Sequence, residues 1–202
     1  MQREKKVGEF PSKIENNMAG RKSEDQVKEA IRVLKKGGIV IFPTDTVYGV
    51  GCLFDNPKAV DRIYEIKKTP TNQPFPILVS DLSQVEKLAV INKTGEGIIK
   101  KYWPAALTVI LESKNGKEKI GFRMPDSELV RSLIDGLGEP LIGTSANFHG
   151  SRAPKSYDEL DAGFTKLANF VLKGGCRLGM ESTVVDATVN PPKILRKGAI
   201  TL

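Results

Sequence analysis

The hydrophobic positions of this chain follow two spacings, one typical of helices and one typical of strands. Over residues 27–34 the apolar side chains recur every three or four positions, whereas residues 39–42 are continuously apolar and are followed by Pro43. The first spacing predicts an amphipathic helix, which a capping box at residues 23–26 would begin and the glycine pair at residues 37–38 would end. The second predicts a strand that is buried on both faces.

The two spacings alternate to the end of the chain. Further helices are predicted over residues 57–67, 82–88 and 94–102 and after Asp126 as a cap, and further strands over residues 77–79, 107–111, 120–124, 140–143, 170–172, 182–186 and 193–195. The turn at residues 114–117 makes the strands on either side antiparallel neighbours, and the last two strands form a closing pair. Residues 156–159 have the spacing of a second capping box. Helices interleaved with strands of both orientations predict an α/β fold with one mixed sheet.

The first part of the chain differs in composition from the rest. Residues 1–22 are rich in Lys, Arg, Glu and Asn, so we interpret them as a flexible N-terminal arm and residues 23–202 as one domain. They lack the apolar middle region of a signal peptide, and no stretch of the chain approaches the roughly 18 consecutive apolar residues that span a bilayer. We therefore expect a cytoplasmic protein with no membrane partner.

Charge and the scarcity of metal-binding side chains narrow the possible functions. The chain has 31 Lys and Arg against 24 Asp and Glu, a net charge of +7. This charge favours an anionic partner such as a nucleotide or RNA, although a basic surface can also serve solubility alone. Cys52 and Cys176 lie far apart and His149 is the only histidine, which argues against a disulfide framework, a protein-held metal site and a Ser-His-Asp hydrolase.

Polar clusters follow the predicted strands after Phe42, Met124 and Gly143. Because ligands of open α/β sheets bind at loops beyond strand ends, these clusters could face one shared cavity. The first cluster, residues 43–51, combines two hydroxyls, a carboxylate and a phenol with glycines. Its spacing fits a substrate-binding loop, but spacing alone slightly favours a turn whose Thr and Asp side chains cap the local backbone.

The sequence of this cluster carries a family resemblance. Residues 43–51, PTDTVYGVG, resemble the PTDTVYGLG signature of the YrdC-like threonylcarbamoyl-AMP synthase family, with Val50 in place of leucine. The resemblance covers the chain from about Ser23 to its end. It continues in the family's order through IKKTP at residues 66–70, YWPAALT at 102–108, FRMPD at 122–126, TSAN at 144–147, ESTVVD at 181–186 and LRKG at 195–198.

The resemblance implies both a fold and a reaction. The fold would be a twisted mixed α/β domain with helices around the sheet and a large basic concave cavity. In that cavity L-threonine, bicarbonate and ATP, the last accompanied by Mg²⁺, would become threonylcarbamoyl-AMP and pyrophosphate. A downstream threonylcarbamoyl transferase complex would then modify an adenosine of tRNA, and tRNA itself is a further candidate partner.

The family motifs also imply residue roles. Lys67 and Arg123 are the candidate catalytic residues, because attack of a carbamate oxygen on the α-phosphate requires positive charge to offset both anions. Threonine binding is expected from Thr44, Thr46, Arg123, Thr144, Ser145 and Ser182, and ATP binding from Lys67, Thr69, Asn147 and Arg196. Ser145 is expected to orient substrate rather than to be acylated, since no histidine base is near it in sequence; turn capping is the alternative for Ser145 and Asn147.

Two positions depart from the family pattern. Thr69 stands where the family usually has the arginine of a Lys-x-Arg motif, and a threonine has neither the charge nor the fork of a guanidinium. Lys68 could reach inward instead, although neighbouring helical positions point about 100° apart. Glu181 stands where the family often has proline. These departures leave an alternative open, a YrdC-like paralogue that binds RNA or a nucleotide without adenylation activity.

Overall fold

The structure of the chain, a computed structural model, describes the backbone of residues 13–202 and the side chains of residues 23–202. The first helix, α1, spans Lys13–Lys35 and therefore crosses the predicted boundary between arm and domain. The capping box at residues 23–26 does not begin this helix, so that part of the prediction was wrong. Residues 1–12 of the predicted arm lie outside the described residues, and the division into arm and domain stays a prediction.

Most of the remaining elements were predicted from the hydrophobic pattern. The helices are α2 Pro57–Lys67, α3 Leu82–Leu88, α4 Lys93–Tyr102, α5 Glu128–Leu137 and α6 Ala162–Thr165, with a 3₁₀ turn at Tyr157–Glu159. The strands are β1 Val40–Phe42, β2 Gly49–Leu53, β3 Ile77–Leu78, β4 Ala89–Val90, β5 Leu107–Ser113, β6 Lys119–Arg123, β7 Leu141–Ser145, β8 Phe170–Val171, β9 Thr183–Asp186 and β10 Lys193–Arg196. The elements that were not predicted are β2, β4 and α6.

The strands form one mixed sheet in the order β10-β9-β5-β6-β3-β7-β2-β1-β8, and β4 pairs with β5 outside this path. The pairs β1–β8, β3–β6 and β5–β9 are parallel, and the other pairs are antiparallel. The mixed α/β fold is therefore confirmed. The predicted antiparallel neighbours around residues 114–117 are β5 and β6, and the predicted closing pair is β9 and β10.

Strand β1 shows why the sheet has two apolar faces. Val40 and Phe42 pack with Leu34 of α1 and Leu133 of α5, whereas Ile41 packs into the core on the other side of the sheet. All of these side chains are fully buried. Each burial stabilises the fold by about 1.5–3 kcal/mol, so helices α1 and α5 are held against the part of the sheet face that they cover.

Strand β2 was not predicted, because the glycines in its sequence, GVGCL, are unfavourable in strands. The structure shows why glycine is needed. A Cβ at Gly51 would overlap the carbonyl oxygen of Ile142 on the neighbouring strand and would lie 3.1 Å from the ring of Phe42. The close approach of β7 and of this ring therefore excludes a side chain.

Both remaining predictions of helix caps were wrong. The N-cap of α5 is Ser127, whose hydroxyl accepts from the Val130 amide, and Asp126 instead forms an ion pair with Arg177. Ser156 begins only the 3₁₀ turn and makes no side-chain capping bond. Glu159 accepts from the backbone amide of Lys155 at 2.9 Å instead of closing a capping box.

Candidate functional site

A cavity of about 580 Å³ lies on the sheet face that α1 and α5 partly cover. Its floor consists of alternate residues of neighbouring strands, because successive side chains of a strand point to opposite faces. On β6 these residues are Lys119, Gly121 and Arg123, and β9 contributes Val184 and Asp186. The volume is in the range of small-molecule sites, which is roughly 300–1,000 Å³.

The cavity brings together every residue that the sequence analysis assigned to substrate binding or catalysis. Its lining includes Thr44, Thr46, Lys67, Thr69, Arg123, Thr144, Ser145, Asn147, Ser182 and Arg196. The sheet order explains this, since strands far apart in sequence lie side by side. The structure places these residues in one site, and their individual roles stay predictions.

Arg123 is buried at the floor and is held by three groups. Its Nη2 pairs with the carboxylate of Asp45, its Nη1 donates to the Thr46 hydroxyl at 3.0 Å, and its Nε donates to the Ala105 carbonyl at 3.3 Å. Burial lowers the pKa of Arg123, and the charge of Asp45 opposes this effect. The second oxygen of Asp45 is buried without a hydrogen-bond partner among the described residues. Arg123 is thus fixed in orientation, with part of its charge offset by Asp45.

The loop at residues 43–48 both caps its own backbone and lines the cavity. Thr44 Oγ1 donates to the Val47 carbonyl at 2.8 Å, so the Thr46 hydroxyl must donate the proton in the 2.8 Å contact between the two threonines. Thr44 Oγ1 also accepts from the Thr46 amide at 3.0 Å, so both of its lone pairs are taken. The Thr46 oxygen accepts from Arg123 and keeps one lone pair for a ligand. The Tyr48 phenol does not line the cavity, because it donates to the Gly174 carbonyl at 2.7 Å. The capping interpretation therefore holds for Thr44, and substrate binding by the two threonines stays a prediction.

Lys67 connects the end of α2 to the loop after β7. Its Nζ donates to the carbonyls of Ser145 at 2.6 Å and Asn147 at 2.8 Å, which leaves one N–H for a ligand. Burial lowers the pKa of Lys67 to about 8, although the charge of Glu181 opposes the shift. Lys68 has left-handed backbone, lies 6.0 Å from the ring centroid of Phe148, and is not among the described residues that line the cavity.

Two residues that line the cavity each have a buried oxygen without a hydrogen-bond partner. Thr69 Oγ1 and Asn147 Oδ1 have no hydrogen-bond partner within residues 23–202. The amide group of Asn147 is fixed, since its Nδ2 donates to the carbonyls of Phe148 at 3.0 Å and Ser151 at 2.6 Å. Buried polar atoms are normally paired, so these two oxygens are exceptions within the site.

Arg196 and Ser182 form the opposite wall. Arg196 Nε donates to the Ser182 carbonyl at 3.0 Å and Nη2 donates to the Ser182 hydroxyl at 3.1 Å. The third nitrogen, Nη1, lies 3.3 Å from Oε1 of Glu181. Glu181, one of the two departures from the family pattern, therefore offsets the charge of a predicted ATP-binding residue.

The sequence analysis missed a second charged pair in the lining. Lys119 Nζ lies 3.0 Å from Oδ2 of Asp186, and both side chains face the cavity. Lys119 is outside the motifs that carry the family resemblance. The sequence did contain one signal: Lys119 and Arg123 are four residues apart on a strand, so their side chains lie on the same face. His149 also lines the cavity, although no role was assigned to it.

Neither a metal site nor a membrane span is seen in the described part of the chain. Within it, no group of three or more His, Cys, Asp or Glu side chains is arranged to hold a metal ion. None of its helices has the length and apolar character required to cross a membrane.

The fold and site define a mixed α/β domain whose cationic and hydroxyl side chains line a cavity on one sheet face. The model of the Sua5/YciO/YrdC family, described as "Telomere recombination", matches residues 32–198. The chain therefore belongs to this family, which confirms the family resemblance found in the sequence.

Three relatives illustrate the similarity. The chain is 36% identical over 191 residues to a putative threonylcarbamoyl-AMP synthase of Methanocaldococcus jannaschii, covering 89% of this chain and 91% of that protein. It is 35% identical over 193 residues to the threonylcarbamoyl-AMP synthase of Bacillus subtilis, covering 89% of this chain but only 55% of that protein. The crystal structure of Pyrococcus abyssi Sua5 complexed with L-threonine superposes with a TM-score of 0.81 at 34% identity, covering 85% of this chain and 54% of that one.

Proposed function

We propose that this chain is a threonylcarbamoyl-AMP synthase, a nucleotidyltransferase that converts L-threonine, bicarbonate and ATP to threonylcarbamoyl-AMP, pyrophosphate and water. The observation that carries the proposal is the single cavity in which Lys67, Arg123 and Arg196 lie among threonine and serine hydroxyls. The similarity to a Sua5 structure that holds L-threonine supports it. So does the similarity to proteins named for this activity.

The proposed reaction has two bond-forming steps. The threonine amino nitrogen bonds to the carbon of bicarbonate, and water leaves, which gives a carbamate. A carbamate oxygen then attacks the α-phosphorus of ATP while the bond from that phosphorus to the bridging oxygen breaks, and pyrophosphate leaves with the electron pair. Both reactants of the second step are anions, so fixed positive charge is the main requirement of the site.

The side chains supply that charge and the orientation of the reactants. In the proposal, Arg123 with Thr44, Thr46, Thr144, Ser145 and Ser182 binds threonine, and Lys67 with Thr69, Asn147 and Arg196 binds ATP. Lys67 contributes its remaining N–H to the phosphates. Mg²⁺ enters with ATP as part of the substrate. In the proposal, Ser145 orients a substrate rather than forming a covalent intermediate.

The chemistry of the product suggests where it goes. Threonylcarbamoyl-AMP is a mixed anhydride, so it is an activated donor of the threonylcarbamoyl group. We expect a separate transferase complex to consume it in modifying tRNA, and we expect the chain to work in the cytoplasm where tRNA is found. The basic composition, a net charge of +7, would also favour direct contact with tRNA.

The test is a product assay. The full chain is incubated with ATP, Mg²⁺, L-threonine and labelled bicarbonate, and threonylcarbamoyl-AMP and pyrophosphate are followed together. Equal amounts of both products are expected, and neither should form when threonine is omitted. A protein that binds ATP and threonine but forms no product would support the alternative, a paralogue that binds a nucleotide or RNA without adenylating threonine.

A further inference from the structure

The departure at Thr69 removes a cation from the site, and the structure limits what could replace it. The cations that line the cavity in the described part of the chain are Lys67, Lys119, Arg123 and Arg196. Lys68, the nearest candidate in sequence, is exposed and lies over the ring of Phe148 instead. A replacement must therefore come from another element.

All four lining cations contact protein groups, and Lys119 has the fewest such contacts. Lys67 gives two of its three N–H groups to backbone carbonyls. Arg123 is paired with Asp45, and Arg196 directs all three of its nitrogens at residues 181 and 182. Lys119 donates one N–H to Asp186, and its Nζ has no other partner among the described residues. Lys119 thus has two donors to offer to a ligand.

Asp186 holds Lys119 in place. Its Oδ1 accepts from the Thr188 amide at 2.9 Å and from the Thr188 hydroxyl at 2.6 Å, while its Oδ2 accepts from Lys119 at 3.0 Å. Burial opposes ionisation of Asp186, but these hydrogen bonds outweigh it and keep the pKa of this carboxyl below its ordinary value. Thr188 therefore orients the carboxylate that accepts from Lys119.

The floor between Lys119 and Arg123 is open. Both side chains lie on the same face of β6, about 13 Å apart at four residues of about 3.3 Å each. Gly121 lies between them and has no side chain to divide the cavity. Ligand groups can therefore lie along the strand between the two cations.

We infer that Lys119, anchored by Asp186, contacts the phosphates of the nucleotide and supplies the positive charge that Thr69 lacks. This inference rests on the proposed function for the identity of the nucleotide. It makes Lys119 a binding residue of this chain outside the family motifs. A lysine on β6 also explains how the site can offer the phosphates a cationic donor while Thr69 contributes only a hydroxyl.

The test compares ATP with adenosine in calorimetric titrations of the full chain. Lys119→Met removes the charge but keeps a long apolar stem, and Lys117→Met is the matched control, since Lys117 is exposed in the turn before β6 and does not line the cavity. Loss of a charge-assisted contact at a half-exposed site should weaken ATP binding about tenfold. Adenosine binding should change less than twofold, as should ATP binding to the control.

A second variant tests the compensation itself. Adding Thr69→Arg to Lys119→Met should recover most of the lost ATP affinity. The same change in the wild type should increase ATP affinity less, because Lys119 already supplies the charge there. Equal losses for ATP and adenosine in Lys119→Met, or no loss at all, would overturn the inference. The inference would also be overturned if Thr69→Arg increased ATP affinity by the same factor in the wild type and in Lys119→Met.

The product assay separates this inference from the proposed function. Wild-type protein that binds ATP through Lys119 but forms no threonylcarbamoyl-AMP contradicts the function and supports the inference. If the wild type forms product and Lys119→Met binds ATP as tightly as the wild type does, the proposed function is supported and the inference is contradicted. If the wild-type chain does not bind ATP, both are overturned.

Discussion

The carboxylate of Glu181 lies 3.3 Å from the guanidinium of Arg196, on the wall of the cavity where ATP is expected. Both side chains are a little more than 40% exposed, at 43% and 44%, so water screens their attraction. Glu181 also faces Lys67 closely enough to raise the pKa of that lysine against the effect of burial. Glu181 thus places a negative charge near Arg196 and Lys67, the two cations that are expected to bind the phosphates.

Glu181→Gln is expected to strengthen ATP binding, because it frees Arg196 and removes repulsion of the phosphates. Exposed ion pairs contribute about 0.2–1 kcal/mol, so the gain should be roughly two- to fivefold in Kd. Titration of ATP checks this, with Glu86→Gln on the exposed face of α3 as the control. Weaker binding in Glu181→Gln would mean that the carboxylate positions Arg196 rather than masking it.

The stability of the protein should depend on pH through Lys67. Its pKa is lowered from 10.5 to about 8 by burial, so between these values the unfolded chain holds a proton that the folded chain has released. The unfolded state then binds more protons, and the free energy of unfolding rises with pH across this window. Below pH 8 both states are protonated, and the buried charge costs its full amount.

Denaturant unfolding of wild type and Lys67→Met at several pH values checks this prediction. The wild type should gain stability relative to the variant as the pH increases from about 8 towards 10.5. Methionine does not titrate, so the pH dependence of the variant's free energy of unfolding comes from all the other groups. Parallel curves would show that Lys67 keeps its proton in the folded state.

The sequence predicted the elements whose hydrophobic pattern is strong and local. Helix α2 has the bounds that the pattern predicted, and β1 is buried on both faces as its apolar run required. Strand β2 was missed because its glycines are explained only by the approach of β7 and Phe42, which are distant in sequence. Local patterns do not contain that information.

In the site, too, the features that depend on contacts between distant parts of the chain were not predicted. The motif residues were predicted because the family resemblance names them, and the cavity contains them all. Lys119 was missed because its position on the floor depends on the register of β6 beside β5 and on the carboxylate of Asp186 from β9. The partners of Arg123 were also not predictable, since Asp45 is brought to it by the sheet and not by spacing.

Glycine positions offer a direct test of the strand that the sequence analysis missed. Gly51→Ala would place a Cβ against the Ile142 carbonyl and the Phe42 ring, neither of which is the end of a flexible side chain. Overpacking of this kind costs about 1–3 kcal/mol, so the free energy of unfolding should fall by that amount. Gly97→Ala in α4, where a Cβ would meet nothing within 4 Å, should instead raise it by about 0.5–1 kcal/mol. Equal effects of the two changes would contradict the close packing of β2 against β7.

Arg123 should matter for folding as well as for binding. Its guanidinium and the Asp45 carboxylate are both buried, with side-chain exposures of 8% and 1%. Arg123→Met leaves that carboxylate without its countercharge inside the protein, and removal of one partner of a buried pair costs about 3–5 kcal/mol. The free energy of unfolding should fall accordingly, as measured by denaturant titration.

The control for this prediction is the exposed pair between Arg177 and Asp126. Arg177→Met should cost less than about 1 kcal/mol, because water replaces the lost arginine. Adding Asp45→Asn to Arg123→Met should recover part of the stability, since the uncompensated buried charge is then gone. ATP and threonine binding by this double variant separates the two roles of Arg123. If stability recovers and threonine binding does not, the arginine contacts the ligand; if both recover, its role is to neutralise Asp45 and hold the loop at residues 43–48.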